Sequence, residues 1–184
     1  FGASGDLTAR KLVPALYDLA EGRRLPMEFA VVGVSRTEMS HDEFRKRLRV
    51  ALDQQRPGRV SDDVWNSFCG GVFYLPGDSK DPRTYRELKS FLKELDEERG
   101  TRGTRAFHLA SSRSLVSPIV ARLGKGGMNE GESGGWARLV VEKPFGRDLA
   151  SAKELNQDIR RYFRERQNYR IDHYLGKQAV QYVL

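Results

Sequence analysis

Four short apolar runs divide the chain, and none of them alternates apolar with polar positions. Runs of this kind are typical of strands that are buried on both faces of a parallel sheet. The predicted strands are Phe29–Val34, Val72–Leu75, Ala106–Ala110 and Leu139–Val141. Such strands need helices on both sides to cover them, so this fold requires helices in the segments between the runs.

Helical periodicity fills those segments. The first helix is predicted from Asp6 to about Glu21, because apolar residues recur there at helical spacing and Gly22 follows. The other predicted helices are Ser40–Gln54, Ser61–Phe68, Pro82–Glu98, Leu115–Leu123 and Leu149–Phe163. Strands that alternate with helices favour an α/β fold with a Rossmann-like, doubly wound parallel sheet.

Three places depart from this alternation. The chain begins at Phe1 with neither an initiator Met nor a signal-peptide pattern, so we expect a cut end and a first strand that is mostly missing. Near Asp172 the pattern changes, and a second, α+β domain is expected to begin. The segment from Gly124 to Gly135 is rich in Gly and polar residues and is predicted to be a flexible surface loop.

Composition narrows the classes of function. Apolar residues make up 39% and charged residues 31%, as in soluble globular proteins, and no window approaches the roughly 20 apolar residues of a transmembrane helix. The net charge of +7 favours anionic partners, such as nucleic acid, acidic lipid or phosphorylated small molecules. Cys69 is the only cysteine and there are three histidines, so we expect a cytoplasmic protein without a disulfide or metal site.

The segment Gly2-Ala3-Ser4-Gly5-Asp6-Leu7 stands where a strand would turn into the first helix. Glycines at such a turn let the backbone approach a pyrophosphate, and a helix N-terminus offers unpaired N–H groups. Only G-x-x-G is present, however, and a simple helix cap by Ser4 or Asp6 explains the segment about as well.

Arg36 follows the predicted strand Phe29–Val34, which is the second strand of the domain if the missing first strand is counted. At the end of this strand, domains that bind NAD place an acidic residue against the ribose hydroxyls. An Arg at this position suits the extra phosphate of NADP. Its distance from the glycines exceeds the usual spacing of roughly 20 residues, which a longer first helix would explain. A solvated surface Arg is the alternative.

Glu142-Lys143-Pro144-Phe145-Gly146 follows the last predicted strand, so Lys143 lies at the carboxyl end of the sheet, where open α/β folds bind ligands. Pro144 is expected to fix the turn, with a cis peptide bond as one way to do so, and Gly146 permits close approach of the backbone. A strand-ending turn with an exposed lysine is the alternative.

Arg170-Ile171-Asp172-His173-Tyr174-Leu175-Gly176-Lys177 concentrates an acid, a histidine, a phenol and a lysine in one short segment. His173, Tyr174 and Lys177 can donate hydrogen bonds to a phosphate, and Asp172 can orient an imidazole supplied from elsewhere. A polar loop followed by a solvated helix is the alternative.

Three segments in this order closely resemble the signature segments of glucose-6-phosphate dehydrogenases: GASGDL with Arg10-Lys11, EKPFGRDL at Glu142–Leu149, and RIDHYLGK at Arg170–Lys177. The resemblance covers essentially the whole chain. It implies hydride transfer from carbon 1 of glucose 6-phosphate to NADP and a homo-oligomeric full-length protein. It also implies a dinucleotide-binding domain at residues 1–172 and the beginning of the C-terminal substrate domain at residues 173–184.

The resemblance also implies individual roles. The cofactor turn would comprise Gly2, Ala3, Ser4, Gly5, Asp6 and Leu7. Arg36 would meet the 2′-phosphate, and Lys143 would contact both cofactor and substrate. His173, Tyr174 and Lys177 would hold the sugar phosphate. Asp172 would orient a catalytic histidine that in the family lies further along the chain. Lys143 and Asp172 are therefore the catalytic candidates, and the fragment alone is expected to be inactive, since neither His41 nor His108 matches that base.

Ala110-Ser111-Ser112-Arg113 departs from the family, many of whose members have two prolines there. Two other functions remain open. A nucleic-acid-binding module would use the Arg-rich stretch at residues 160–166, although Glu165 and the helical pattern favour a solvated face. A non-catalytic relative would bind NADP or a sugar phosphate without chemistry. A Walker-type loop at residues 124–127 is rejected, because it follows a helix and has no Ser or Thr after the Lys.

Overall fold

A computed structural model describes residues 1–132 and 134–172 of the 184-residue chain. The strands in this part are β1 Val31–Ser35, β2 Val72–Pro76, β3 Arg105–Leu109, β4 Ala137–Glu142 and β5 Asn168–Ile171. The helices are α1 Val13–Glu21, α2 His41–Gln55, α3 Asp62–Cys69, α4 Pro82–Arg99, α5 Arg113–Lys125 and α6 Leu149–Arg160. A π-helical turn, Thr8–Leu12, precedes α1, and a 3₁₀ turn, Glu165–Gln167, precedes β5.

All strand pairing in the described residues is parallel. The strand β1 pairs with β2 in one sheet, and the order β3-β4-β5 forms the other. The chain start joins the two sheets: the ammonium of Phe1 donates to His108 C=O at 2.8 Å, and the Gly2 N–H donates to Val34 C=O at 2.9 Å. Phe1 and Gly2 thus lie between β1 and β3, in the position of a central strand in a doubly wound sheet.

Helices cover both faces of the strands, which gives two hydrophobic clusters. On β1, Val32 and Val34 pack into the cluster formed with α4, α5 and α6, whereas Val31 packs into the cluster formed with α1, α2 and α3. Alternating side chains of a strand point to opposite faces, so β1 is covered on both sides. The predicted Rossmann-like α/β architecture is therefore confirmed.

The predicted elements agree with the structure to within two residues at most ends. The largest difference is at α6, which ends at Arg160 although a helix to Phe163 is predicted. Phe163 is fully buried, and it continues the apolar pattern only because the chain turns back into the core after the helix. Apolar periodicity indicates which residues are buried, and here the buried residues continue beyond the end of the helix.

One strand was not predicted, and one predicted loop has different bounds. The sequence does not predict β5, because this strand lies at the sheet edge and its residues, Asn168-Tyr169-Arg170-Ile171, contain no apolar run. The predicted flexible loop begins too early, since α5 continues to Lys125, and Met128 within it is fully buried. The side chain of Asn129 also anchors this segment by donating to Tyr162 C=O at 2.6 Å.

The Arg-rich stretch carries ion pairs. Arg160 lies 3.2 Å from Glu165, Arg161 lies 3.1 Å from Asp158, and Arg164 lies 3.8 Å from Glu130. These contacts partly neutralise the charges that a nucleic acid would use. Among the described residues, no helix is both long and apolar enough to cross a membrane.

Candidate functional site

A cleft of about 280 Å³ opens at the carboxyl ends of β1, β2 and β3. The turn before the first helix contributes Gly2, Ser4 and Gly5 to its lining. The last residue of β1, Ser35, and the segments that follow the three strands also contribute; these segments supply Arg36, Gly77, Ser79, Ser111 and Ser112. The structure thus brings the predicted glycine turn and the predicted 2′-phosphate residue together, at the edge where open α/β sheets bind ligands.

Gly2 cannot carry a side chain in this position. Its φ is +86°, and an added Cβ would lie 2.2 Å from the carbonyl oxygen of Ala110. The turn closes through the Gly5 N–H, which donates to Gly2 C=O at 2.9 Å. Ala3 is buried behind the turn. Bare main chain therefore faces the cleft, as a bound pyrophosphate requires.

The first helix begins beside this turn without a side-chain cap. Asp6 and Leu7 already have helical conformation, and no side chain of the described residues caps the π-helical turn that follows. The Ser4 hydroxyl shares a hydrogen bond with the Ser35 hydroxyl, with the oxygens 2.6 Å apart, and Asp6 pairs with Arg10 at 3.2 Å. The helix-cap alternative loses support, and the first N–H groups of the helix suit an anion.

Arg36 is exposed at the end of β1, and its backbone is supported by a residue that sequence analysis missed. The buried Tyr74 donates its hydroxyl to Thr37 C=O at 2.7 Å and approaches Ser35 C=O at 3.2 Å. A second arginine, Arg47 of α2, donates to the carbonyl of the glycine turn at Ser4, over 2.9 Å. Cationic side chains from two elements therefore lie around the turn.

A second cleft, of about 630 Å³, lies between the N-termini of α5 and α6. Its lining includes Arg113, Pro144 and Arg147, and it adjoins the first cleft at Ser112, which lines both. The serine-containing segment after β3, where the family resemblance is weakest, therefore lies at the junction. The two clefts together connect the glycine turn with the turn that follows β4.

The turn after β4 places two predicted catalytic residues in contact. Lys143 Nζ lies 2.6 Å from Asp172 Oδ2, across the paired ends of β4 and β5, and the Lys143 side chain is 54% exposed. The Lys143–Pro144 peptide bond is cis, which is the form that the sequence analysis named for this turn. An added Cβ at Gly146 would lie 2.6 Å from the Ala152 nitrogen, so the expected close backbone approach is also confirmed.

The remaining predicted site residues do not line the first cleft or lie outside the described residues. Asp6 lies outside the cleft, in its surface ion pair, and Leu7 is half-buried. His173, Tyr174 and Lys177 lie outside the described residues. His108 Nε2 lies 3.0 Å from Glu142 Oε1, one residue before Lys143. The missed lining residues Gly77 and Ser79 follow directly after a predicted strand, and that position could have identified them.

Comparisons with known proteins agree with this geometry. The family model described as "Glucose-6-phosphate dehydrogenase, NAD binding domain" matches residues 1–182. The chain is 43% identical over 187 residues to a glucose-6-phosphate 1-dehydrogenase of Chlamydia pneumoniae, covering 100% of this chain and 36% of that protein. It is 40% identical over 181 residues to that of Bacillus subtilis, covering 98% of this chain and again 36% of the relative.

Solved structures give the same result. A glucose-6-phosphate dehydrogenase in complex with its substrate glucose 6-phosphate superposes with a TM-score of 0.88 at 35% identity, covering 100% of this chain and 37% of that one. The enzyme from Mycobacterium avium superposes with a TM-score of 0.83, also at 35% identity, covering 98% of this chain and 36% of that one. The chain thus spans little more than a third of its relatives, and it belongs to the glucose-6-phosphate dehydrogenase family as its nicotinamide-dinucleotide-binding part.

Proposed function

We propose that the complete protein oxidises glucose 6-phosphate at carbon 1 with NADP, giving 6-phosphogluconolactone and NADPH. The observation that carries this proposal is the shared cleft of the glycine turn and Arg36 at the carboxyl edge of the sheet. Family membership supplies the reaction, and the cleft supplies the place for a dinucleotide with an extra phosphate. Bound there, the nicotinamide would accept the hydride.

On the cofactor side, the main chain of Gly2–Leu7 would hold the pyrophosphate. The glycines let the pyrophosphate approach the main chain closely, and the N-terminus of the first helix offers N–H groups and a partial positive charge. Arg36 would bind the 2′-phosphate through charge-assisted hydrogen bonds, which are about twice as strong as neutral ones. An acidic residue at that position would instead repel the phosphate, so the identity of residue 36 favours NADP over NAD.

On the substrate side, Lys143 would contact the sugar close to the nicotinamide. Its ion pair with Asp172 holds the ammonium at the end of β4, where the second cleft begins. Asp172 would orient a histidine that abstracts the proton of the C1 hydroxyl. His173, Tyr174 and Lys177 would hold the sugar phosphate.

We also propose the organisation of the complete protein. The dinucleotide-binding domain would comprise residues 1–172, and residues 173–184 would begin the substrate domain. The complete protein would be a cytoplasmic homo-oligomer. The isolated domain would not oxidise the sugar, because the general base is supplied from outside it.

The test follows NADPH formation by absorbance with the purified complete protein and glucose 6-phosphate. We expect activity with NADP, and the Arg36→Ala variant should raise the KM for NADP by about 10- to 100-fold, since a hydrogen bond to a charged group contributes about 1.5 to 3 kcal/mol. Arg59→Ala, at an exposed arginine away from the cleft, is the matched control. A well-folded protein that binds NADP but never reduces it would instead be the non-catalytic relative.

A further inference from the structure

Tyr74 is a buried residue whose hydroxyl group is not needed for packing in the core. Its side chain is 2% exposed, and its ring packs against Phe44 with the centroids 4.8 Å apart. The phenol points towards the carboxyl end of β1, where its oxygen lies 2.7 Å from Thr37 C=O and 3.2 Å from Ser35 C=O. A phenylalanine would keep the apolar contacts but could not donate a hydrogen bond to Thr37 C=O.

The two carbonyls belong to the residues on either side of Arg36. The single hydroxyl hydrogen donates to Thr37 C=O, the shorter contact, whereas Ser35 C=O accepts a hydrogen bond from the Gly77 N–H at 2.8 Å. Burial raises the pKa of Tyr74 above its usual value of 10.0, so the hydroxyl keeps its hydrogen at neutral pH. The backbone at Arg36 is therefore held from the core side.

The same tyrosine also holds the far end of this connection. Its backbone N–H donates to His41 Nδ1, in the first turn of α2, at 3.0 Å. Residue 74 thus ties both ends of the link between β1 and α2 to the neighbouring strand. Because Arg36 lies within that link, the direction in which its long side chain leaves the backbone depends on these contacts.

The link is coupled to the glycine turn as well. The Ser35 hydroxyl lies 2.6 Å from the Ser4 hydroxyl, and Arg47 donates to Ser4 C=O at 2.9 Å. One hydrogen-bonded network therefore joins Tyr74, the link and the glycine turn. A dinucleotide with a 2′-phosphate contacts both parts at once, so its affinity depends on their spacing more strongly than that of an unphosphorylated dinucleotide.

We propose that Tyr74 is a positioning residue for the 2′-phosphate: by holding the Thr37 carbonyl, next to Arg36, it strengthens the preference for the phosphorylated dinucleotide over the unphosphorylated one. The inference rests on the proposed function, because it takes Arg36 as the residue that contacts the phosphate. A purely structural tyrosine would affect the binding of both dinucleotides equally.

The test compares dissociation constants for NADP and NAD, measured by calorimetry on the complete protein and its Tyr74→Phe variant. Loss of one hydrogen bond corresponds to about a 3- to 10-fold change, and we expect the Kd for NADP to rise by that factor while the Kd for NAD stays within about 2-fold. The matched control is Tyr17→Phe, in which another fully buried phenol loses its bond from the Ser61 N–H, of 2.9 Å. The control should lower thermal stability without changing the ratio of the two constants.

The outcomes separate this inference from the proposal on which it rests. If Arg36→Ala lowers the NADP preference and Tyr74→Phe does not, the role of Tyr74 is refuted and the cofactor assignment stands. Equal weakening of both dinucleotides by Tyr74→Phe also refutes it, since that is the behaviour of a structural residue. If Arg36→Ala leaves the preference unchanged, the 2′-phosphate assignment fails and the inference fails with it.

Discussion

The carboxyl and amino edges of the sheet are built in different ways. At the carboxyl edge, bare main chain at Gly2 and the exposed Arg36 line an open cleft, and the Lys143 side chain is exposed at the end of β4. At the amino edge, Arg105 is only 6% exposed, and its guanidinium lies 2.7 Å from the carboxylate of Asp96. One edge presents its cations to solvent, and the other buries its cation against a partner.

The carboxylate of Asp96 accepts hydrogen bonds from several donors. Burial by itself would raise the pKa of Asp96, but hydrogen bonds from Thr101, Gly103 and Arg105 outweigh it and keep that pKa below its usual value. A buried charge that loses its partner is costly, whereas an exposed one can meet a ligand without first breaking a core contact. The amino edge therefore stabilises the fold, and the carboxyl edge is available for binding and chemistry.

The largest effect is expected at Lys143. Replacement by Met should lower kcat/KM for glucose 6-phosphate by about 100- to 1,000-fold, because a positioned donor at a reacting centre contributes about that much. The melting temperature should change little, since the lysine is half-exposed and the change removes mainly its ion pair with Asp172. Lys153→Met, at an exposed lysine of α6, is the control. Equal decreases in kcat/KM for the two variants would remove Lys143 from the site.

Asp96→Asn should lower the stability of the protein without changing its cofactor preference. We expect a loss of about 3 kcal/mol in the free energy of unfolding, because the buried Arg105 would lose the closer of its two carboxylate partners and keep only Glu132, at 3.7 Å. The ratio of NADP to NAD affinity should stay constant. The control is Asp158→Asn, which breaks a surface pair with Arg161 and should cost less than about 1 kcal/mol. Denaturant titrations would decide, and similar losses of stability in both variants would contradict the difference between the edges.

Gly2→Ala tests the main chain of the carboxyl edge. The clash with Ala110 and the positive φ should together destabilise the protein by about 3 kcal/mol and weaken the binding of both dinucleotides. Gly58→Ala is the matched control, since Gly58 has a φ of +68° but nothing lies within 4 Å of an added Cβ. It should cost only about 1 to 2 kcal/mol. Unchanged NADP binding in Gly2→Ala would show that the turn does not hold the cofactor.

The smallest effect is a pH dependence at the amino edge. A carboxyl group whose pKa is lower in the folded than in the unfolded state stabilises the fold above the unfolded value, and that contribution is lost as the pH falls through the folded value. For Asp96 the usual pKa is 3.8. The stability difference between wild type and Asp96→Asn should therefore be constant near neutral pH and shrink below pH 3.8. A difference that stays constant at lower pH would show that Asp96 has an ordinary pKa when folded.

Local signals explain why most elements could be predicted. The capping box of Ser40 and Glu43 starts α2, and Gly100, at a φ of +70°, ends α4. Both depend on residues a few positions apart. The strand β5 carried no such signal, because an edge strand buries too little to need an apolar run. Met128 lies in a Gly-rich segment, and its burial depends on what packs over it.

The candidate site also contains residues that could be predicted from the sequence and one that could not. The glycine turn, Arg36 and Lys143 could be named from the sequence because each follows a predicted strand or precedes a helix, and parallel strands bring such positions to one edge. Tyr74 could not be named in this way. It lies inside a strand with the pattern of a core residue, and its contacts with Ser35 and Thr37 join residues far apart in the chain.

By itself, the sequence determined the alternation of helices and strands, the parallel α/β class and the residues placed at the carboxyl edge, because these follow from short-range periodicity and turn chemistry. Only the tertiary structure decided that Lys143 meets Asp172, that Arg105 is buried against Asp96, and that Tyr74 supports the backbone at Arg36. The physical reason is that these contacts form between separate elements, whose distances depend on how the whole sheet and its helices pack.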